Sequence, residues 1–128
     1  MLTSPHLVLS RLAAEVASRL GEVVSEGFTV TADDTTITLS RWGETWRSLD
    51  LSLELGHYPD EPLAETAARA SLQVLRDVQD DVIETIWTAW PEAAGRSGPA
   101  RAYSEVENGR LRLGYVGAFD LEPVDVED

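Results

Sequence analysis

The stretch Arg41-Trp42-Gly43-Glu44-Thr45-Trp46-Arg47 is nearly symmetric about a glycine-containing turn. A three-residue turn at positions 43–45 predicts a β-hairpin in which Trp42 lies opposite Trp46. The same register gives three further pairs, which share one mainly apolar face: Leu39 with Leu49, Ile37 with Leu51, and Thr35 with Leu53. A slip of one residue would place these leucines opposite polar positions, so the apolar pattern and the turn favour the same pairing.

In this register the two tryptophans lie on the other face of the hairpin, among serine and threonine side chains. A pair of indole rings in such surroundings presents more apolar area than a solvent-facing strand usually does. We therefore expect Trp42 and Trp46 to contact a second protein chain.

An amphipathic helix precedes the hairpin. Ser4 and Pro5 are typical of a helix N-terminus, and apolar residues then recur at three- and four-residue steps as far as Val24. From Phe28 the apolar period changes to two, which predicts a strand that turns at residues 33–34. That turn sets two pairs: Val30 with Ile37, and Phe28 with Leu39. Three antiparallel strands are therefore predicted after the first helix.

A second helix and a second hairpin follow. Apolar residues at helical spacing run from about residue 62 to residue 90, and Pro91 ends that helix. Asn108-Gly109 is a preferred pair for a type I′ turn. The turn sets two oppositely charged pairs across the strands: Glu107 with Arg110, and Glu105 with Arg112.

The predicted order is α-β-β-β-α-β-β, in a single domain at residues 1–118. Both helices have an apolar face that matches the aliphatic side of the strands. This pattern predicts an α+β fold, with two helices packed on one face of an antiparallel sheet. Residues 119–128 contain five carboxylates and no basic residue, so we expect an acidic, frayed C-terminal tail.

This element order resembles the type III secretion chaperone-like fold of bacterial adaptor and chaperone domains. The resemblance covers about residues 5–116 and rests on the order of the elements. The C-terminal helix that is usual in that group is replaced here by the acidic tail. The resemblance implies a chaperone-like or adaptor-like role.

The composition narrows the possible classes of function. The chain has no cysteine, which excludes disulfides, zinc–thiolate sites and thiol nucleophiles. Its formal net charge of −13 disfavours binding to nucleic acid or to an anionic membrane, and it favours a basic partner. All ten basic residues are arginine, a usage typical of high-GC bacterial genomes. With no membrane-length apolar run and no secretory signal, we expect a cytoplasmic protein.

His57 is the one histidine that lies in a loop beside carboxylates, those of Asp60 and Glu61. Neither a nucleophile nor a set of metal ligands accompanies it in the sequence. We therefore expect no catalytic residue, no cofactor and no metal. A small enzyme with a site near His57 is a lesser alternative.

Asp77, Asp81 and Glu84 recur at helical spacing on the second helix. Carboxylates on one helix seldom complete the coordination shell of a cation such as Mg²⁺, so we predict a solvated acidic face. Trp87 falls outside the buried stripe of the same helix and is a further candidate contact residue.

The sequence therefore predicts a non-enzymatic protein-interaction domain, chaperone-like or adaptor-like, that acts through its open sheet face or as a homodimer. The alternative is an acidic inhibitor or immunity-type protein, which would cover a basic partner with residues 77–84.

Overall fold

The two helices and the antiparallel strands follow one another in the predicted order, α-β-β-β-α-β-β, so the α+β fold class is confirmed. The structure is a computed structural model, and it describes residues 5–24, 27–54, 60–86, 90–91 and 99–126. His57 and Trp87 lie outside the described residues.

The first half of the chain contains α1 (Pro5–Gly21), β1 (Phe28–Asp33), β2 (Thr36–Arg41), β3 (Glu44–Asp50) and a 3-10 helix (Leu51–Glu54). The second half contains α2 (Leu63–Ile86), β4 (Arg101–Glu107), β5 (Arg110–Val116), β6 (Phe119–Asp120) and β7 (Val124–Asp125). The strands form two antiparallel sheets where the sequence suggested one. In the first sheet β2 lies between β1 and β3, and in the second β5 pairs with β4, β6 and β7.

One apolar core lies between the helices and the two sheets. Helix α1 packs mainly on β1, and α2 packs mainly on β4. Tyr115 is the largest of the fully buried side chains, and its hydroxyl donates a hydrogen bond of 2.8 Å to the backbone carbonyl of Leu75. Burial raises the pKa of Tyr115, so the phenol stays neutral and joins β5 to α2.

The tryptophan hairpin has a different register from the predicted one. Its turn consists of two residues, Trp42 and Gly43, with φ angles of 51° and 85°, and Arg41 pairs with Glu44. Trp42 and Trp46 are therefore not cross-strand neighbours, and that prediction is wrong. Ile37 lies opposite Leu49 instead of Leu51.

The first turn differs from its prediction in the same way. The turn falls at Asp34 and Thr35, so Val30 lies opposite Leu39 and not Ile37. Both registers are displaced by two residues, except between the irregularity at Leu39/Ser40 and the turn, where the pairing of β2 with β3 is displaced by three. A displacement of two keeps each side chain on its predicted face, so the apolar pattern does not distinguish the two registers.

The second hairpin has the predicted register around Asn108 and Gly109. Glu107 pairs with Arg110 and Glu105 with Arg112. The guanidinium of Arg112 lies 3.3 Å from the Glu105 carboxylate and 3.0 Å from that of Glu107. The positive φ angles of Asn108 (53°) and Gly109 (75°) are those of a type I′ turn.

The predicted frayed tail is instead part of the folded structure as far as residue 126. Strands β6 and β7 pair with β5, and Leu121, Val124 and Val126 are buried. Glu122 and Asp125 alternate with these apolar residues and stay exposed. Burial of the three apolar side chains therefore proceeds without burying the neighbouring carboxylates.

Asp50 connects the first turn to the 3-10 helix. Its Oδ1 accepts hydrogen bonds from the hydroxyl of Thr35 (2.7 Å) and from the backbone N–H (3.0 Å) and hydroxyl (2.7 Å) of Ser52. These hydrogen bonds, with that of Thr35 first, lower the pKa of Asp50. A carboxyl with a lowered pKa stabilises the fold above its unfolded pKa and loses this contribution as the pH falls through its folded pKa.

We predict that Asp50→Ala lowers the free energy of unfolding at neutral pH by about 1–2 kcal/mol. The loss should shrink below about pH 4, where the aspartate becomes protonated in the unfolded chain but not yet fully in the folded one. Urea denaturation at pH 7 and about pH 3 would measure both values. Asp33→Ala, at an exposed position of β1, is the control. Equal losses for Asp50→Ala at the two pH values would contradict the prediction.

Candidate protein-interaction surface

The two tryptophans of the first sheet lie at one end of the β2–β3 hairpin, and both are largely exposed. The exposed fraction is 70% for Trp42 and 50% for Trp46. Every residue from 44 to 48 is also exposed. We call residues 42–48 the tryptophan surface. Two exposed indoles this close in the chain are unusual for a surface that meets only water.

Trp42 is exposed but held in place. Its backbone N–H donates a hydrogen bond of 3.0 Å to the carbonyl of Gly27. The indole lies directly on Gly27, since a Cβ at that glycine would come within 2.5 Å of the ring. The guanidinium carbon of Arg41 lies 5.9 Å from the centre of this ring and 5.1 Å from that of Phe28. Close contact and cation–π attraction therefore position the side chain of Trp42.

Trp46 lies at an irregularity in the pairing of β3 with β2. Thr45 pairs with Ser40 and Arg47 pairs with Leu39, so Trp46 falls between the two pairs. Such a bulge bends a strand and increases its local twist. In the part of the chain that the structure describes, no strand pairs with the other side of β3. Trp46 therefore lies on an open edge of the sheet.

Arg47 attaches this edge strand to α2. Its Nε lies 2.5 Å from Oδ2 of Asp81, and its Nη2 lies 3.0 Å from Oδ1. The exposed fraction of the side chain is 41% for Arg47 and 9% for Asp81. The hydrogen bond to Asp81 is the main cause of the raised pKa of Arg47, and Asp77 and Asp80 add to it. The guanidinium therefore stays charged and holds β3 against the helix.

This ion pair corrects one expectation about the acidic face of α2. Asp81 was predicted to be solvated with Asp77 and Glu84, but it is buried and paired with Arg47. Asp77 is half-buried and accepts a hydrogen bond of 2.9 Å from the amide of Gln73. Asp80 and Glu84 are exposed. Asp77 and Asp80 act electrostatically on Arg47 of β3, and Asp81 pairs with it directly.

A groove that the sequence did not predict lies between β3 and α2. Its volume is about 160 Å³, and we call it the β3–α2 groove. The apolar residues that line it are Leu49, Leu51, Leu53, Ala70 and Val74, and the polar ones are Ser48, Asp50, Glu54 and Gln73. Leu53 continues the alternating leucines of β3, but the 3-10 helix leaves it 70% exposed. That alternation of leucines is a strand pattern, so it gave no signal of a groove.

A larger depression, of about 290 Å³, lies between α1 and the end of the chain. Arg11, Arg19 and Arg110 line it together with carboxylates. Arg19 donates to the backbone carbonyls of Glu122 (2.6 Å) and Pro123 (3.1 Å), and Arg110 pairs with Asp125. Most of the charge in this depression is therefore paired internally.

His6 contacts the carboxylate of Asp34 at 2.8 Å, on the exposed surface.

None of the described helices is both long and apolar enough to cross a membrane. Comparison of the chain with protein-family models, with curated proteins and with solved structures found no match.

Proposed function

We propose that this protein is a non-enzymatic interaction domain that binds a second protein chain through the tryptophan surface. The observation that carries the proposal is the presence of two largely exposed tryptophans beside an open strand edge, one of which, Trp42, packs against Gly27. In the finer form of the proposal, the role is that of a chaperone or adaptor in a bacterial cytoplasm.

The arrangement has the features of a binding hot spot. Tryptophan is enriched among the residues that dominate interface energies, and such residues lie in the centre of an interface. A positioned side chain loses less conformational entropy on binding than a mobile one. The contacts of Trp42 with Gly27 and Arg41 leave little of that entropy to lose. The entropic cost of ordering Trp42 on association is therefore small.

A second candidate function is that of an acidic inhibitor or immunity-type protein that covers a basic partner. The observation that favours it is the electrostatic effect of Asp77 and Asp80 on Arg47 of β3, in a chain with a net charge of −13. In this case charge complementarity would accelerate association and make it sensitive to salt.

We predict that Trp42→Ser combined with Trp46→Ser weakens association by about 2 kcal/mol, the scale of an interface hot spot. Folding should change little, because both side chains are exposed. Sedimentation velocity would measure self-association, and quantitative pull-down would measure retention of other proteins. Leu7→Ser combined with Val116→Ser is the matched control, since it removes two exposed apolar side chains from other elements.

Two results would contradict the proposal. The first is a wild-type chain that stays monomeric at high concentration and that, in the pull-down, retains the same proteins as the double tryptophan variant. The second is unfolding of that variant, which would show that the tryptophans support the core.

A further inference from the structure

We infer that the partner of the tryptophan surface is a basic polypeptide segment that inserts an apolar side chain into the β3–α2 groove. The inference rests on the proposed function and adds the chemistry of the partner. It follows from the size of the groove and from the charges around it.

The size of the groove indicates what it accommodates. A volume of about 160 Å³ is roughly half the lower limit for pockets that hold a drug-sized ligand, about 300 Å³. Its apolar lining by Leu49, Leu53 and Val74 suits an aliphatic side chain. Since Leu53 is largely exposed, an inserted side chain would also cover apolar surface that water now contacts.

The charges near the groove are mainly negative. Asp50 and Glu54 line it, and Gln73 of the lining donates a hydrogen bond of 2.9 Å to Asp77. Asp77 and Asp80 also act electrostatically on Arg47, the residue before Ser48 of the lining. The basic residues here already have acidic partners: Arg47 pairs with Asp81, and Arg69 pairs with Glu54 and Glu61.

Arg76 is also exposed on α2, but one cation does not balance these carboxylates. A partner segment with arginine or lysine on each side of its apolar residue would complement this field. The exposed faces of Trp42 and Trp46 offer cation–π contacts to the same basic side chains.

The same charges disfavour a second copy of this chain as the occupant. In a twofold dimer each surface patch meets its own equivalent, so Asp50, Asp77 and Asp80 would approach the same residues of the other subunit. Like charges placed together across an interface are strongly unfavourable. The net charge of −13 on each chain adds a repulsion at longer range.

A peptide titration would test this inference. The probe is a capped peptide of alternating arginine and leucine, and its comparison is the same peptide with glutamate in place of arginine. We expect calorimetry and tryptophan fluorescence to detect binding of the first peptide only, weakening as salt is added. Asp77→Asn combined with Asp80→Asn should weaken that binding about tenfold. Leu53→Ser should also weaken it, because it removes one wall of the groove.

The control is Glu22→Gln combined with Glu122→Gln, which removes the same charge from exposed positions after α1 and before β7. Equal binding of the two peptides, or an equal effect of the two double variants, would overturn the inference. So would self-association that depends on Trp42 and Trp46 without peptide binding, although the proposed function would then stand. If Trp42→Ser with Trp46→Ser alters no association at all, both proposals fail.

Discussion

Gly114→Ala is expected to lower the free energy of unfolding by about 4 kcal/mol, a large effect for one added methyl group. A Cβ at Gly114 would lie 2.6 Å from the carbonyl oxygen of Phe119 and 2.8 Å from the Cα of Asp120. Both are backbone atoms of β6, which pairs with β5 at this point. The methyl group would therefore push β6 away and expose Leu121, which is 6% accessible.

Gly43→Ala is the matched control for this substitution. A Cβ at Gly43 meets no atom within 4 Å, so only the positive φ of 85° opposes the change. That conformation costs about 1–2 kcal/mol in a residue with a side chain. Urea denaturation followed by circular dichroism would give both values. Equal losses for the two variants would contradict a close approach of Gly114 to β6.

Arg47→Met is expected to lower the free energy of unfolding by about 2 kcal/mol, between the values for exposed and buried ion pairs, because the Arg47 side chain is 41% exposed. The substitution keeps much of the apolar stem but removes both hydrogen bonds to Asp81. The Asp81 carboxylate is only 9% exposed, so water would not fully replace the two lost hydrogen bonds. Arg47→Met combined with Asp81→Leu should recover most of the loss, because it removes both charges.

Arg110→Met is the control for this ion pair. Arg110 pairs with Asp125, and the exposed fractions of the two side chains are 63% and 74%. Pairs this exposed contribute about 0–1 kcal/mol. Thermal or urea denaturation of the three variants would test the contrast. A loss for Arg47→Met no larger than that for Arg110→Met would contradict the role given to Arg47.

The fold class was predictable from the sequence because both apolar periods are regular, but the register of the first sheet was not. Asn108-Gly109 specifies one turn by its own chemistry, and the hairpin around it was predicted correctly. Trp42-Gly43 forms the same kind of two-residue turn. Its tryptophan has a positive φ angle, which is uncommon for residues other than glycine, asparagine, aspartate and histidine. The sequence therefore favoured a longer turn.

The interaction surface was predictable only in part, because some of its contacts join residues that are far apart in the sequence. Exposure of Trp42 and Trp46 follows from their polar neighbours, whereas the pairing of Arg47 with Asp81 joins residues 34 positions apart. One local signal existed. Arg47 shares a strand face with Leu49 by alternation, and an arginine at the edge of the core is stabilised by an acidic partner. The prediction of a frayed tail is wrong because Leu121, Val124 and Val126 are buried between its exposed carboxylates.

The hydrogen bonds of Arg19 have a consequence for synthesis of the protein on the ribosome. Arg19 belongs to the first helix, yet two of its acceptors, the carbonyls of Glu122 and Pro123, lie 103 and 104 positions later. Translation adds about 5–20 residues per second, so α1 exists for several seconds before these acceptors do. During that interval both hairpins can form from neighbouring residues, but α1 cannot complete its contacts. Docking of residues 121–126 against α1 therefore cannot begin until several seconds after α1 has been synthesised.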